Sequence, residues 1–254
     1  MVLLVNGDSH TAGSEIDYNE QQECKEKAWG KHLADKLNMD YCNLAKPGSS
    51  NQRIVNTTQD WIISNILLDK KYKPEDIHVM IMWSGFDRDQ IYVQDMNQLV
   101  DIGISTDVTL FKTKMTKELG DYHRSKILLQ DHFYSCFNAL SMVYNFSNWL
   151  VSLNIKHTFI NGLYHFYDMD YVNNEFTNHP SFEMYVRIIT AFGEEKINKF
   201  LGFYDLSNVY YHHLLPKKEF DRSPFGHFRE DAHIYWTELV YKFMTTKNVT
   251  KKLI

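Results

Sequence analysis

Four short stretches hold residue types that can do chemistry: Gly7-Asp8-Ser9 near the start, Gly48 in NLAKPGSSNQRIV, Gly85 and Asp87 in MWSGFDR, and His227 and His233 in SPFGHFREDAHIYW. A serine hydroxyl is a poor nucleophile at neutral pH and needs a base within hydrogen-bond reach. Either histidine fits that task. Attack on an acyl carbon also needs N–H donors aimed at the oxygen that becomes negative, and the backbone amides of Ser9 and Gly48 are the candidates. Together these types point to acyl transfer through a serine ester. The α/β-hydrolase elbow G-x-S-x-G is not present, because Thr11 stands at its last position. The same residues have plainer uses, Ser9 as a helix cap and Gly48 as the turn residue after Pro47.

His212-His213, with His227 and Asp221, offers no tight ligand pair of the H-E-x-x-H kind. No metal or organic cofactor is called for. Glu230 stands three residues before His233 and makes that pair an alternative base, although Glu230 and Asp231 also suit the first turn of a helix. The run GLYHFYDMDYVNN, residues 162 to 174, brings Tyr164 either to an aromatic wall for a sugar or acyl group or to a loop packed on the core.

Loops converge on one site when they leave the carboxyl ends of parallel strands. Val2 to Val5, Tyr41 to Leu44 and Ile77 to Trp83 read as three such strands. Helices with Trp29, Leu33 and Leu37 on one face, and from Ser50 to Leu68, lie between them. Beyond a blurred stretch, Asp131 to Leu153 reads as a long helix and Ile155 to Ile160 as a fourth strand. Ser181 caps a helix carrying Val186, Ile189 and Ile197, weakened by Gly193; a short fifth strand is placed near Val209 to His212, and Phe228 to Met244 is the last helix. This alternation predicts one α/β domain spanning 1–254, a flavodoxin-like three-layer α/β/α sandwich with a mostly parallel sheet of about five strands. Residues 89–130 form an insertion, a lid or an interface.

The net charge of −5, with Lys and Arg scattered, gives no electrostatic footprint for nucleic acid. No apolar run reaches the roughly 20 residues of a membrane span, and MVLLVNGD lacks the basic start of a signal peptide. Three cysteines, Cys24, Cys42 and Cys136, without metal spacing, suit a reducing compartment. The expectation is a cytoplasmic or otherwise soluble protein, virion-associated if it derives from a phage, acting on a small-molecule or glycan ester, with neither nucleic acid nor membrane as partner; sequence does not set its oligomeric state.

GDSHTAG, NLAKPGSSNQRI and GHFREDAHIYW together resemble the blocks of the SGNH (GDSL) hydrolase superfamily, and the W-S-x-x-x-R style of MWSGFDR is most like phage and bacterial members. The resemblance runs from Val2 to about Leu239, with little to match in the middle. It implies Ser9 as nucleophile and oxyanion donor, Gly48 as second donor, His227 as base and His233 as a structural histidine. Two positions depart from the family. Asp87 stands where an asparagine is the third donor, and an ionised carboxylate only accepts hydrogen bonds, so Arg88 or Ser84 would have to substitute. Pro224 stands where the family has the triad aspartate, which leaves Asp221, or a backbone carbonyl in a Ser-His dyad. Asp8, His10, Arg88 and Tyr164 are the candidate substrate contacts. The implied activity is hydrolysis of an O-acyl ester, such as acetyl on a carbohydrate. The alternatives are an O-acyltransferase and a non-catalytic carbohydrate-binding or virion protein that retains the fold.

Overall fold

A computed structural model of the protein describes residues 1–17, 23–103, 106, 114–166, 177–203, 209–223 and 226–246. Its centre is a five-stranded parallel sheet built from β1 (Val2–Asn6), β2 (Asp40–Asn43), β3 (Ile77–Trp83), β6 (Lys156–Asn161) and β7 (Phe200–Leu201), in the order β2-β1-β3-β6-β7. Between β3 and β6 lies a separate antiparallel hairpin of β4 (Asp89–Val93) and β5 (Gln98–Ile102).

Successive strand residues point to opposite faces, and the core divides accordingly. Val2, Leu4, Val79, Ile81 and Trp83 face one apolar layer, made by α3 (Asn51–Ile62), α5 (His132–Ser152) and α6 (Phe182–Ile197). Leu3, Val5, Met80 and Met82 face the other, made by α2 (Trp29–Leu37), α7 (Tyr210–Leu214) and α8 (Glu230–Thr245). Strands buried on both faces read as continuous apolar runs, which is why β1 and β3 were visible without alternation. Trp29, Trp83 and Trp236 are fully buried, and trimming such a residue to alanine typically costs about 3–5 kcal/mol. The layers and sheet make a three-layer α/β/α sandwich, as the alternation of elements predicts.

The fifth strand lies elsewhere than the sequence suggests. Val209 to His212 lies in α7 and the turn before it, because Tyr210 packs edge-on to Trp236, ring centroids 5.2 Å apart. The fifth strand is instead Phe200–Leu201, two residues paired with Phe159 and Ile160 and too short to show a period. Residues 89–130 hold the β4–β5 hairpin and α4 (Thr116–Leu129). Gly193 breaks α6 with a φ of 66°. Among the described residues no helix is long and apolar enough to cross a membrane.

Candidate active site

Ser9 opens α1 (Ser9–Ala12), a single turn that follows β1 directly. Asp8 caps that turn by accepting from His10 N at 3.1 Å, and Gly13 ends it at φ 69°, the left-handed conformation that suits glycine. Asn6 anchors the strand end from beneath: its amide donates to Ile54 O, Thr57 Oγ1 and Thr58 Oγ1 of α3, and its carbonyl accepts from Gly7 N. The position of Ser9 is therefore tied to the sheet on one side and to α3 on the other.

The loops after β2 and β3 are drawn to the same edge. Gly48 turns at φ 74°, after which Ser50 caps α3 by accepting from Arg53 N at 3.2 Å. Asn51 joins this loop to the next: its carbonyl accepts from Ser84 N at 2.8 Å and its amide donates to Ser84 O at 3.2 Å. Arg88 Nη1 then spans three segments, donating to Ser84 Oγ at 2.7 Å, Ser49 O at 3.3 Å and Asp8 Oδ2 at 3.4 Å. Asp8 is 1% exposed and also accepts from Ser84 Oγ. It joins the loop after β1 to the loop after β3. Asp87 lies close against two glycines. A Cβ on Gly85 would fall 2.5 Å from its Oδ1, and one on Gly103 3.0 Å from its Oδ2. Nearby, the half-exposed Tyr164 hydroxyl is held above its ordinary pKa by burial and then by the Asp87 charge.

The last loop folds back on itself to present His227. Ser223 N donates to His227 O at 2.8 Å, His227 N donates to Ser223 Oγ at 3.1 Å, and Arg222 bridges Phe228. His227 Nδ1 lies 3.0 Å from Glu15 Oε2. Ser223 Oγ donates to the same carboxylate oxygen, and the buried Arg229 guanidinium holds the backbone carbonyl of Glu15. Burial alone would raise the Glu15 pKa; the hydrogen bonds from Ser223 and His227, with the His227 and Arg229 charges, bring it below the ordinary carboxylate value. Glu15 sits at φ 60°, a left-handed conformation uncommon outside glycine.

The carboxylate on His227 is thus Glu15 and not Asp221. Asp221 is exposed and contributes its backbone carbonyl, which accepts from Arg229 N. No local pattern marked Glu15. It lies just past α1, six residues after Ser9 and far in sequence from the loop that carries His227. Asn51 was missed for a similar reason, since its role is to join two loops. Pro224 and the part of the aromatic run from 167 to 174 lie outside the described residues.

The two other histidines differ from His227. His233 is 1% exposed; its Nδ1 accepts from Trp29 N at 3.2 Å at the start of α2, and burial lowers its pKa to about 3. Glu230 lies 3.6 Å from His32 instead. His10 packs under the last loop, its ring 5.1 Å from both His227 and Tyr210, and burial lowers its pKa to about 4. Tyr164 lies against Phe86, and Phe166 is fully buried in the same aromatic stack.

Among the described residues, neither Ser9 Oγ nor His227 Nε2 makes a hydrogen bond. Both remain available to a substrate, and nucleophile–base contacts are often loose in unliganded sites. Likewise no three His, Cys, Asp or Glu side chains among the described residues converge as a metal site would require. Beside Gly48 opens a cleft of about 490 Å³, lined by Arg53, Arg88, Gln98, Asp101 and Thr106 among others.

A family of unknown function, DUF6071, matches residues 8–132. No curated protein matches the chain. Among solved structures, TesA is similar with a TM-score of 0.51 at 12% identity, covering 96% of this chain and 98% of its own. A member of the lipolytic G-D-S-L family from Veillonella parvula DSM 2008 gives 0.46 at 14% identity, covering 97% and 100%. The acetyl xylan esterase AlAXEase gives 0.45 at 11% identity, covering 95% and 98%. The likeness to TesA is one of fold.

Proposed function

We propose that this protein is a serine esterase of the SGNH type, with Ser9 as nucleophile, His227 as general base and Glu15 as the acid that orients the base. The observation that carries this reading is the Glu15–His227 pair, 3.0 Å apart, beside the turn that presents Ser9. A carboxylate on Nδ1 fixes the tautomer that leaves Nε2 to accept a proton, and it stabilises the imidazolium once formed.

In the reaction, His227 Nε2 takes the Ser9 proton as Oγ bonds to the ester carbonyl carbon. The backbone amides of Ser9 and Gly48 receive the resulting oxyanion. Asp87, an acceptor pressed between two glycines, is given no donor role. Collapse of the intermediate breaks the carbon–oxygen bond to the alcohol, which leaves with the proton from His227. Water then attacks the acyl-enzyme with His227 again as base, and a carboxylic acid is released. The polar cleft beside Gly48 favours a polyhydroxylated alcohol, so the substrate class is an O-acylated carbohydrate, with acetyl as the acyl group.

Hydrolysis of p-nitrophenyl acetate and of an acetylated xylo-oligosaccharide by the wild type, Ser9→Ala and His227→Ala, together with fluorophosphonate labelling, tests the assignment. Turnover and labelling in the wild type that disappear in Ser9→Ala are expected. A folded wild type that neither labels nor cleaves any ester would overturn the reading.

A further inference from the structure

The cleft beside Gly48 contains charge that the proposed reaction does not use. Its carboxylate, Asp101, is fully engaged: Oδ1 accepts from Ser50 N at 3.1 Å and Ser50 Oγ at 2.5 Å, and Oδ2 accepts from Arg53 Nη1 at 3.1 Å. These bonds dock β5 on the first turn of α3 and make the wall rigid. Asp8, the carboxylate partner of Arg88, is buried and is not among the residues that line the cleft.

Each guanidinium has five N–H donors. Among the described residues, Arg53 and Arg88 commit Nη1 alone, Arg53 to Asp101 and Arg88 to Asp8, Ser49 and Ser84. The Nε and Nη2 donors of both remain, on two residues that line one cleft. Arginine presents such donors as a planar fork that matches the paired oxygens of a carboxylate or phosphate. At about 490 Å³ the cleft also exceeds what an acetyl group fills and lies within the range of small-molecule sites.

We propose that this cleft binds an anionic substituent, a carboxylate or phosphate, on the alcohol portion of the ester, so that the substrate is an acylated acidic saccharide. The inference rests on the esterase reading for what is turned over, but not for what is bound.

Its test is calorimetric titration of Ser9→Ala with oligogalacturonate, glucose 6-phosphate and a neutral xylo-oligosaccharide, at low and high salt. At least one charged ligand is expected to bind about tenfold or more tightly than the neutral one, the scale of a charged hydrogen bond, and to lose that advantage at high salt. Galacturonate alone would identify a carboxylate site, and the sugar phosphate alone a phosphate site. In the same background, Arg53→Gln and, separately, Gln98→Glu should bring charged ligands to the neutral level. Gln98 is exposed, so its replacement adds a repelling charge without unseating β5. Equal affinity for charged and neutral ligands, no binding of any, or charged-ligand binding that survives both substitutions would overturn the proposal. Binding that meets the expectation in a protein that cleaves no ester would uphold the cleft and sink the esterase reading.

Discussion

Glu15 Oε2 and His227 Nδ1 lie 3.0 Å apart although 212 residues separate them in the chain. The contact depends on two supports. Ser223, four residues before the histidine, donates to the same carboxylate, and Arg229, two residues after it, grips the Glu15 carbonyl. The last loop thus brings to Glu15 both the imidazole and the groups that hold the carboxylate in place.

Glu15→Gln keeps the side-chain shape but removes the charge. In a serine triad, neutralising the acid lowers kcat by about 10⁴-fold, and a drop of at least about 100-fold in ester hydrolysis is expected here. Asp221→Asn should stay within about twofold of the wild type, as suits an exposed residue away from the imidazole. The reverse ranking in steady-state assays would return the acid role to Asp221.

His233 should matter to stability more than to chemistry. His233→Leu leaves the Trp29 N–H without its acceptor, and a buried donor left unpaired costs about 1–3 kcal/mol. Urea denaturation of this variant should show a lowered midpoint with an unchanged slope. A midpoint equal to that of the wild type would remove the capping role.

Acid should destabilise the fold before any carboxylate titrates normally. His10 and His233 have folded pKa values of about 4 and about 3 against an ordinary 6.5. Above pH 6.5 both states are neutral and these groups contribute nothing to the slope. Below it the unfolded chain binds protons that the folded chain refuses, so stability falls with pH by at most about 1.4 kcal/mol per unit for each histidine, until the folded values are reached. Glu15 acts in the same direction, because its depressed pKa gives a contribution that is lost as pH falls through the folded value. Melting curves between pH 8 and 5 should show the decline, shallower in His10→Phe. A flat profile would contradict it.

Two glycine substitutions should separate cleanly. A Cβ on Gly7 would lie 2.3 Å from Thr11 Oγ1 and 2.9 Å from the Met82 carbonyl, and backbone on one side prevents relief. Gly7→Ala should cost several times what Gly48→Ala does. The Gly48 Cβ would meet open space and suffers only from its φ of 74°, a penalty of about 1 kcal/mol. Similar midpoints in denaturant would refute the distinction.

The elements that carry the loops were legible because they are buried on both faces or strongly periodic: β1, β3 and α5 fall within a residue or two of where apolar runs and caps place them, and the helix expected to reach Leu68 is α-helical to Ile62 and continues as a π-helix from Ile63 to Leu68. Ser9 and Gly48 were legible as residue types after the first two strands, and His227 as one in the loop before the last helix. What escaped detection depends on contacts across the chain. Phe200–Leu201 is strand because Phe159 and Ile160 lie beside it, and Tyr210 is helical because Trp236 and His10 surround its ring. The β4–β5 hairpin carries a clear alternation, Ile91 and Val93 against Val100 and Ile102, with Asn97 in the left-handed turn between them. That alternation spans only a few residues on each strand and stands beside a stretch with no clear period.

Ser9 and Glu15 lie on one short segment, six positions apart, on either side of the Gly13 cap. Two of the three groups assigned to the reaction therefore travel together at the start of the chain, and the distant loop delivers a single imidazole. A loop that carries both acid and base must preserve their spacing against every insertion. Here the acid is supplied from elsewhere, so a change in the length of this loop leaves the acid–base pair intact as long as Ser223, His227 and Arg229 still reach Glu15.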